Sequence, residues 1–481
     1  MIDNRSLEQT LWSAMDSLRG ALTTAESVRV ITTLYGMKVL NDGTEIFERL
    51  PRQFFSELDW YGVRSSKSPA AYLAKHLTSL GESVILRFLS NKEMTELFRK
   101  LGDERLSRLT LTLDRLDVRP ASRSDLLKLG DVLTRLFARL AANDRYFGEF
   151  LTPAELSILK AKLVLPNTQP VPQEIYDPTC GLGGNLIQAY KELSEEERQK
   201  AVFYGQDMNL TSLYLCTWNL LLHGITQFEL ADGDTLSRPG FTEEGKGREL
   251  KRFDVVLADP PLSMKFHDDF GAHDLFQRFR YGEVRGSRAD YAFLQHILAS
   301  LKVDGKAAVV VAPGALFRSG FEQEIRENFV RAGVVSTSIG LPNNLLSYTG
   351  LPVNMLLFDV SKASQSRESV QFVDASEMVS KAATRGRAST IGTDTLNRII
   401  ATVHERKVDQ GFSAVIGIAE LDEHGYSLLP QVYITKPLPE LPSVEQLGDE
   451  IKALEQGLAQ ERETFDGSLG AMLKSLGKDA T

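Results

Sequence analysis

The run Asp177-Pro178-Thr179-Cys180-Gly181-Leu182-Gly183-Gly184 joins a short apolar stretch to a helical one that begins near Asn185. Glycines at such a turn let the backbone bend tightly and come close to a ligand. The spacing is not the G-x-G-x-x-G of dinucleotide sites, which disfavours NAD. An Asp-Pro at a strand end followed by Gly-x-Gly-Gly suits the methionine moiety of S-adenosyl-L-methionine, since a carboxylate accepts from its ammonium directly or through water. Asp177, Pro178, Thr179, Gly181, Gly183 and Gly184 are therefore candidate cofactor-binding residues. Asp207, in Gly205-Gln206-Asp207-Met208-Asn209, follows the glycines by about 20 positions, where an acid reaches a ribose diol in Rossmann-type sites. Asn209 is taken with it. Asp232 and Asp234 follow a third apolar stretch and are placed near the adenine edge. A lone acid at either place is more often a turn residue, but two in register with a glycine loop favour a site. Cys180 reads as a small packing residue, and His223, His267 and His296 show no ligand spacing.

These motifs need strands that end where each of them begins. Strand-like runs occur at 173–176, 201–204, 228–230, 253–258, 306–312, 334–339 and 353–360, with helical stretches such as 291–301 and 321–332 between them. Alternating β and α units imply a parallel sheet covered on both faces. Residues 1–145 read instead as helices. Ser6-Leu7-Glu8-Gln9 fits a capping box. Leu7, Leu11, Met15 and Leu18 then share one helix face, as do Leu126, Leu129, Val132, Leu136 and Leu140. Beyond 365 the pattern weakens, and Pro437, Pro439 and Pro442 mark a break. Val444, Leu447, Ile451, Leu454 and Leu458 then follow coiled-coil spacing. Gly448, Gly457, Gly467 and Gly470 weaken an isolated helix by up to about 1 kcal/mol each. That leaves two readings, a helix formed against a partner or one packed on its own domain.

Asp259-Pro260-Pro261-Leu262, directly after 253–258, resembles the Asn/Asp-Pro-Pro-aromatic signature of amino-methyltransferases. The resemblance implies that the Asp259 side chain and the Pro260 carbonyl accept hydrogen bonds from a target amino group, while Pro261 and Leu262 complete the catalytic segment. In that family the aromatic stacks on a base flipped out of the duplex. Phe150-Leu151-Thr152-Pro153, with Glu149 before it, resembles the Phe-x-Thr-Pro segment that packs on the cofactor. Its position ahead of the glycine loop matches the motif order of the γ group of DNA adenine methyltransferases. Leu11-Trp12, Leu18-Arg19-Gly20, Leu40-Asn41-Asp42, Arg288–His296, Gly314–Arg318, Gly340–Leu345 and Tyr426–Tyr433 resemble segments of type I restriction-modification methylation (M) subunits. The chain departs from them in four places, the first being Tyr426–Tyr433, which lacks the asparagines of the family's segment. Leu262 stands where an aromatic is usual, Asp259 where type I subunits have Asn, and Asp207 where Glu is more usual.

The fold implied is a Rossmann-like α/β methyltransferase domain with a mostly parallel seven-stranded sheet. It would occupy 146–364, between an N-terminal helical domain (1–145) and a C-terminal extension (365–442), with a partner-binding helix at 443–481. The function implied is site-specific N6-adenine methylation of double-stranded DNA with S-adenosyl-L-methionine and no metal. A specificity (S) subunit would read the sequence, a second M subunit would join it, and a restriction (R) subunit is a further partner. A second reading, resting on Asp259 and Leu262, is a catalytically degenerate methylase-like scaffold or sensor in an anti-phage complex. A third is methylation of protein glutamine or RNA by the same chemistry. The segment 266–287 carries Arg278, Arg280 and Arg285 among aromatics, with Asp268, Asp269, Asp274 and Glu283 nearly cancelling the charge. It reads equally as a DNA contact or as a solvated loop.

Composition is consistent with this. Hydrophobic residues make up 42% and charged residues 25% of 481 positions, enough for a sizeable core and more than one domain. The net charge of −9 argues against a protein that grips DNA alone, because non-specific affinity comes from basic surface. Two cysteines allow no disulfide framework. No apolar run approaches the roughly 18 residues of a membrane helix, and the start lacks a signal-peptide stretch. A cytoplasmic location is the expectation.

Overall fold

The computed structural model describes residues 4–476 apart from 48–49, 51–58, 80–86, 90–91, 143, 150, 168–170, 244–247, 266–273, 286–287, 362–366, 381–387 and 437–443. These residues form two compact units, 1–435 and 436–481. The first is built on one sheet with strands β1 (Glu174–Asp177), β2 (Val202–Asp207), β3 (Phe228–Asp232), β4 (Phe253–Ala258), β5 (Leu301–Val311), β6 (Val335–Gly340), β7 (Asn354–Asp359), β8 (Ser369–Asp374) and β9 (Ser413–Gly417). Their order is β3-β2-β1-β4-β5-β7-β6-β8-β9. β3 through β5 pair in parallel. β7 runs antiparallel to both β5 and β6, β8 is parallel to β6, and β9 antiparallel to β8. The strands are buried on both faces because helices cover each side.

The expected α/β fold with a mostly parallel sheet holds, with three corrections. The sheet has nine strands among the described residues, not seven. β8 and β9 lie in the region where periodicity faded, and β9 is an edge strand with β8 as its one neighbour in the sheet. β5 is also longer than expected. It begins at Leu301, so the preceding helix stops at Ala299. Ser6 is not an N-cap either, for the first helix already runs from Asn4 to Asp16. Pro437, Pro439 and Pro442 lie outside the described residues.

The N-terminal helices and the sheet share one apolar core. The Thr24–Asp42 helix is buried over 27–40 without a polar face. It packs on the Leu210–Leu222 helix that follows β2. Gly36 makes that approach possible, since a Cβ there would collide with the Trp218 ring. The Arg123–Ala141 helix, capped by Ser122, buries Leu126, Leu129, Val132, Leu136 and Leu140 along one stripe. No helix among the described residues is long and apolar enough to cross a membrane.

The second unit contains the Val444–Leu476 helix. Its Leu447, Ile451, Leu454, Leu458, Phe465, Leu469 and Met472 are all exposed.

Candidate active site

β1 lies between β2 and β4, so the chain's excursions diverge on either side of it. In open α/β sheets a ligand crevice forms at this switch point, outside the carboxyl ends of the strands. The glycine loop leaves β1 there, and Asp259 leaves β4 beside it.

The loop is pinned from several sides. Cys180 N donates to Gln206 O of β2 at 2.9 Å, and Gly183 N to Cys180 O at 2.7 Å. Thr235 Oγ1 donates to Pro178 O at 2.5 Å, and Asn219 Nδ2 to Leu182 O at 2.8 Å. Gly183 sits at the start of the Gly184–Glu192 helix with φ 82°, and a Cβ there would stand 2.9 Å from Cys216 Sγ. Only glycine meets both demands. Cys180 is buried, as a packing residue should be.

Asp177 is almost fully buried. Its Oδ1 accepts from Thr179 N at 3.0 Å and its Oδ2 from Asn185 Nδ2 at 2.9 Å. Burial, and then the charge of Asp259, push its carboxyl up to about 7. Asp207 accepts from Gly181 N at 3.0 Å and Asn209 N at 2.8 Å, which ties the end of β2 to the glycine loop. Burial raises its carboxyl above the ordinary value as well.

Asp259 is held by three donors from three segments. Thr152 Oγ1 donates to its Oδ2 at 2.7 Å, and Asn185 Nδ2 to the same oxygen at 3.0 Å. Lys160, on the Ala154–Val164 helix, donates from Nζ to Oδ1. The Lys160 side chain is 0% exposed and that of Asp259 is 17% exposed. Asn185 in turn accepts from Ser157 Oγ at 2.9 Å. Thr152, Lys160, Asn185, Asp177 and Asp259 thus form one network. Lys160, Asn185 and Ser157 were not anticipated from sequence. A lysine in a helix reads as surface charge, and only the tertiary fold supplies its partner.

The other anticipated residues are placed less uniformly. Thr152, Pro153, Leu151 and Gly184 line a cavity of about 1010 Å³ together with Leu182 and Tyr348. Pro260 is buried, Pro261 exposed, and Leu262 half-buried against the core. Glu149 is exposed, and Phe150 lies outside the described residues. The side chain of Asn209 caps the Leu210–Leu222 helix, accepting from Thr211 N and Ser212 N. Asp232 is exposed and pairs with Arg238 at 3.2 Å. Asp234 accepts from Leu236 N and Ser237 Oγ within its own turn. The network therefore gathers Thr152, Asp177 and Asp259, the Asp207–Gly181 bond ties β2 to the loop, and Asn209, Asp232 and Asp234 serve local turns and caps.

In the loop at 266–287, residues 266–273 and 286–287 lie outside the described set. Arg278 is buried against Asp274 at 2.7 Å, so it serves the fold rather than a surface. Arg280 and Arg285 remain exposed. A larger cavity of about 1290 Å³, lined by Arg252, Leu301 and Lys302, opens at the amino ends of β4 and β5, away from these groups.

The site has the chemistry of a cradle for an amino-acid-bearing nucleoside. It offers a buried carboxylate at the end of β1, a second at the end of β2, and a turn at Gly183 with no room for a side chain. Thr179 Oγ1, in the same loop, is a buried oxygen without a partner among the described residues. S-adenosylmethionine carries an ammonium and a ribose diol that match these groups, so the residues present fit it.

The family model described as N-6 DNA Methylase matches residues 124–439. The methylase subunit of the type I restriction enzyme MpnII from Mycoplasma pneumoniae is 28% identical over 339 residues, 69% of this chain and 61% of that protein. The MjaVIII methylase subunit from Methanocaldococcus jannaschii is 28% identical over 351 residues, 71% of this chain and 59% of its own length. The chain thus spans about 60% of these relatives. A type I restriction-modification methyltransferase subunit from Streptococcus thermophilus shares the fold, with TM-score 0.70 and 24% identity over 90% of this chain and 100% of that one. On the match over 124–439, this chain belongs to the N-6 DNA methylase family.

Proposed function

We propose that the chain is the S-adenosylmethionine-dependent, adenine-N6 methylating subunit of a type I restriction-modification-like system. The observation that carries this reading is the Asn185 bridge, which holds the Asp259 carboxylate against the Asp177 loop at the switch point of the sheet. Family membership and the likeness to type I methylase subunits support it.

Asp177 would take the cofactor's ammonium and Asp207 its ribose hydroxyls, with Leu151, Thr152, Pro153 and the glycines shaping the pocket. When bound, S-adenosylmethionine supplies an electrophilic methyl on a sulfonium. Asp259 and the Pro260 carbonyl accept the two N–H groups of an extruded adenine and aim the N6 lone pair at that methyl carbon. As the methyl would pass from the sulfonium to N6, Asp259 and the Pro260 carbonyl would hold the amino hydrogens, and the proton that N6 sheds would leave to water.

Sequence reading falls to a specificity subunit in this scheme, with a second copy of this subunit and a restriction subunit completing the complex. The Val444–Leu476 helix is the partner-binding element, because its apolar stripe is exposed. The acidic net charge fits a subunit that borrows its grip on DNA.

The test is single-turnover transfer of labelled methyl to DNA by the chain co-purified with its neighbouring subunits. Transfer by wild type that vanishes in Asp259→Ala supports the reading. Cofactor binding without transfer returns the scaffold alternative.

A further inference from the structure

Lys160 puts an ammonium group at the reacting centre of this chain. Its side chain is fully buried, its Nζ donates to Asp259 Oδ1, and Asp259 is the residue on which the proposed methyl transfer depends. A buried ion pair is weak evidence for stability, since well-packed apolar residues generally serve as well. What the pair does is therefore to be sought in what Asp259 does.

Acceptor accounting narrows that role. An ionised carboxylate offers about four acceptor positions. On Oδ2 both are filled, by Thr152 Oγ1 at 2.7 Å and Asn185 Nδ2 at 3.0 Å. On Oδ1 one is filled, by Lys160. The position left for an incoming amine is the second one on Oδ1, beside the lysine. Lys160 pairs with Asp259, and its positive charge is also felt at Asp177, which shares the Asn185 amide with Asp259.

Building on the methyltransferase reading, we propose that Lys160 is a positioning residue for methyl transfer. It fixes Asp259 so that Oδ1 receives the adenine amine, and it makes Asp259 and Lys160 a single charge-neutral unit where a neutral amide would suffice alone. With Asp259→Asn alone, the new amide would turn its only acceptor oxygen toward the Lys160 ammonium and present its NH2 to the remaining donors. With Lys160→Met alone, Asp177 and Asp259 would be left as two neighbouring carboxylates without a compensating charge.

The test uses the complex with its neighbouring subunits and compares wild type, Lys160→Met, Asp259→Asn and the double variant. Single-turnover methyl transfer is the main readout. Calorimetric binding of S-adenosylmethionine and thermal melting confirm that each variant folds and binds. Each single change is expected to slow transfer 100-fold or more, while cofactor affinity moves only through the ionisation of Asp177, falling in Lys160→Met and rising in Asp259→Asn. The double variant is expected to outpace either single by at least tenfold, which a merely structural lysine would not produce. If Lys160→Met transfers methyl at the wild-type rate, or the double variant is no faster than the slower single, this inference falls and the methyltransferase reading stands. If wild type transfers no methyl, both fall.

Discussion

Asp177 and Asp259 accept hydrogen bonds from one and the same nitrogen, Asn185 Nδ2, at 2.9 and 3.0 Å. The glycine loop and the Asp-Pro-Pro turn, well separated in the chain, are thereby a single device. Burial, together with the charge of Asp259, pushes Asp177 up to about 7.

The first prediction concerns pH. A cofactor ammonium needs the ionised form of Asp177, so affinity for S-adenosylmethionine should rise up to about tenfold per pH unit from 5.5 to 7 and flatten near 8. Folding stability moves the other way. The folded chain keeps a proton on Asp177 that an ordinary carboxylate near 3.8 gives up. That contribution is complete below about pH 4 and is lost as pH rises through 7. Calorimetric titration across this range checks the first half, and melting of wild type against Asp177→Asn checks the second. An affinity for wild type that stays flat from 5.5 to 8 contradicts the assignment.

Gly183→Ala tests the loop. The new Cβ would meet Cys216 Sγ at 2.9 Å on a backbone with φ 82°. Left-handed backbone costs a non-glycine residue roughly 1–2 kcal/mol, and the clash adds to it. A stability loss of about 2–3 kcal/mol in chemical denaturation is expected, with weaker cofactor binding. Cys216→Ala in the same chain should recover the steric part alone. Full recovery would show that the backbone conformation carries no cost.

Much of this was legible in the sequence because contiguous motifs carry it. Asp177 to Gly184 and Asp259 to Leu262 each fall at a strand end, and strands such as β5 announce themselves by an unbroken apolar run, here 307–312. What was illegible depends on tertiary placement. Lys160 and Lys162 sit two residues apart on one helix and look alike in sequence. One is fully buried against Asp259, while the other is 42% exposed near Glu192. Asp207 and Asp232 likewise end adjacent strands, yet Asp207 is drawn onto the glycine loop and Asp232 onto an exposed arginine. β8 and β9 escaped because short strands beyond the parallel region show little periodicity of their own.

Leu262→Phe addresses the departure at the catalytic segment. Leu262 is half-buried against the core and offers no π-face. Stacking an aromatic on a base is worth about 1–3 kcal/mol, so Phe should strengthen capture of the extruded adenine by roughly 5- to 150-fold. The gain should appear in the DNA concentration for half-maximal transfer, with cofactor affinity unchanged. A weaker DNA response would mean that the half-buried position cannot turn a ring toward the base.

The last prediction concerns the exposed helix. Leu454 and Leu458 are 71% and 70% exposed on the Val444–Leu476 helix. Replacing exposed residues changes the stability of a lone chain by only about 0.5 kcal/mol, so Leu454→Glu with Leu458→Glu should leave its melting temperature almost unmoved. If the stripe is buried by a partner subunit, each leucine contributes about 1.5–3 kcal/mol there. The pair of charges should then weaken co-assembly by roughly two to four orders of magnitude. Methyl transfer should be lost with assembly while S-adenosylmethionine binding to the isolated chain persists. Co-purification that survives both substitutions would place the partner surface elsewhere and leave the helix without an assigned role.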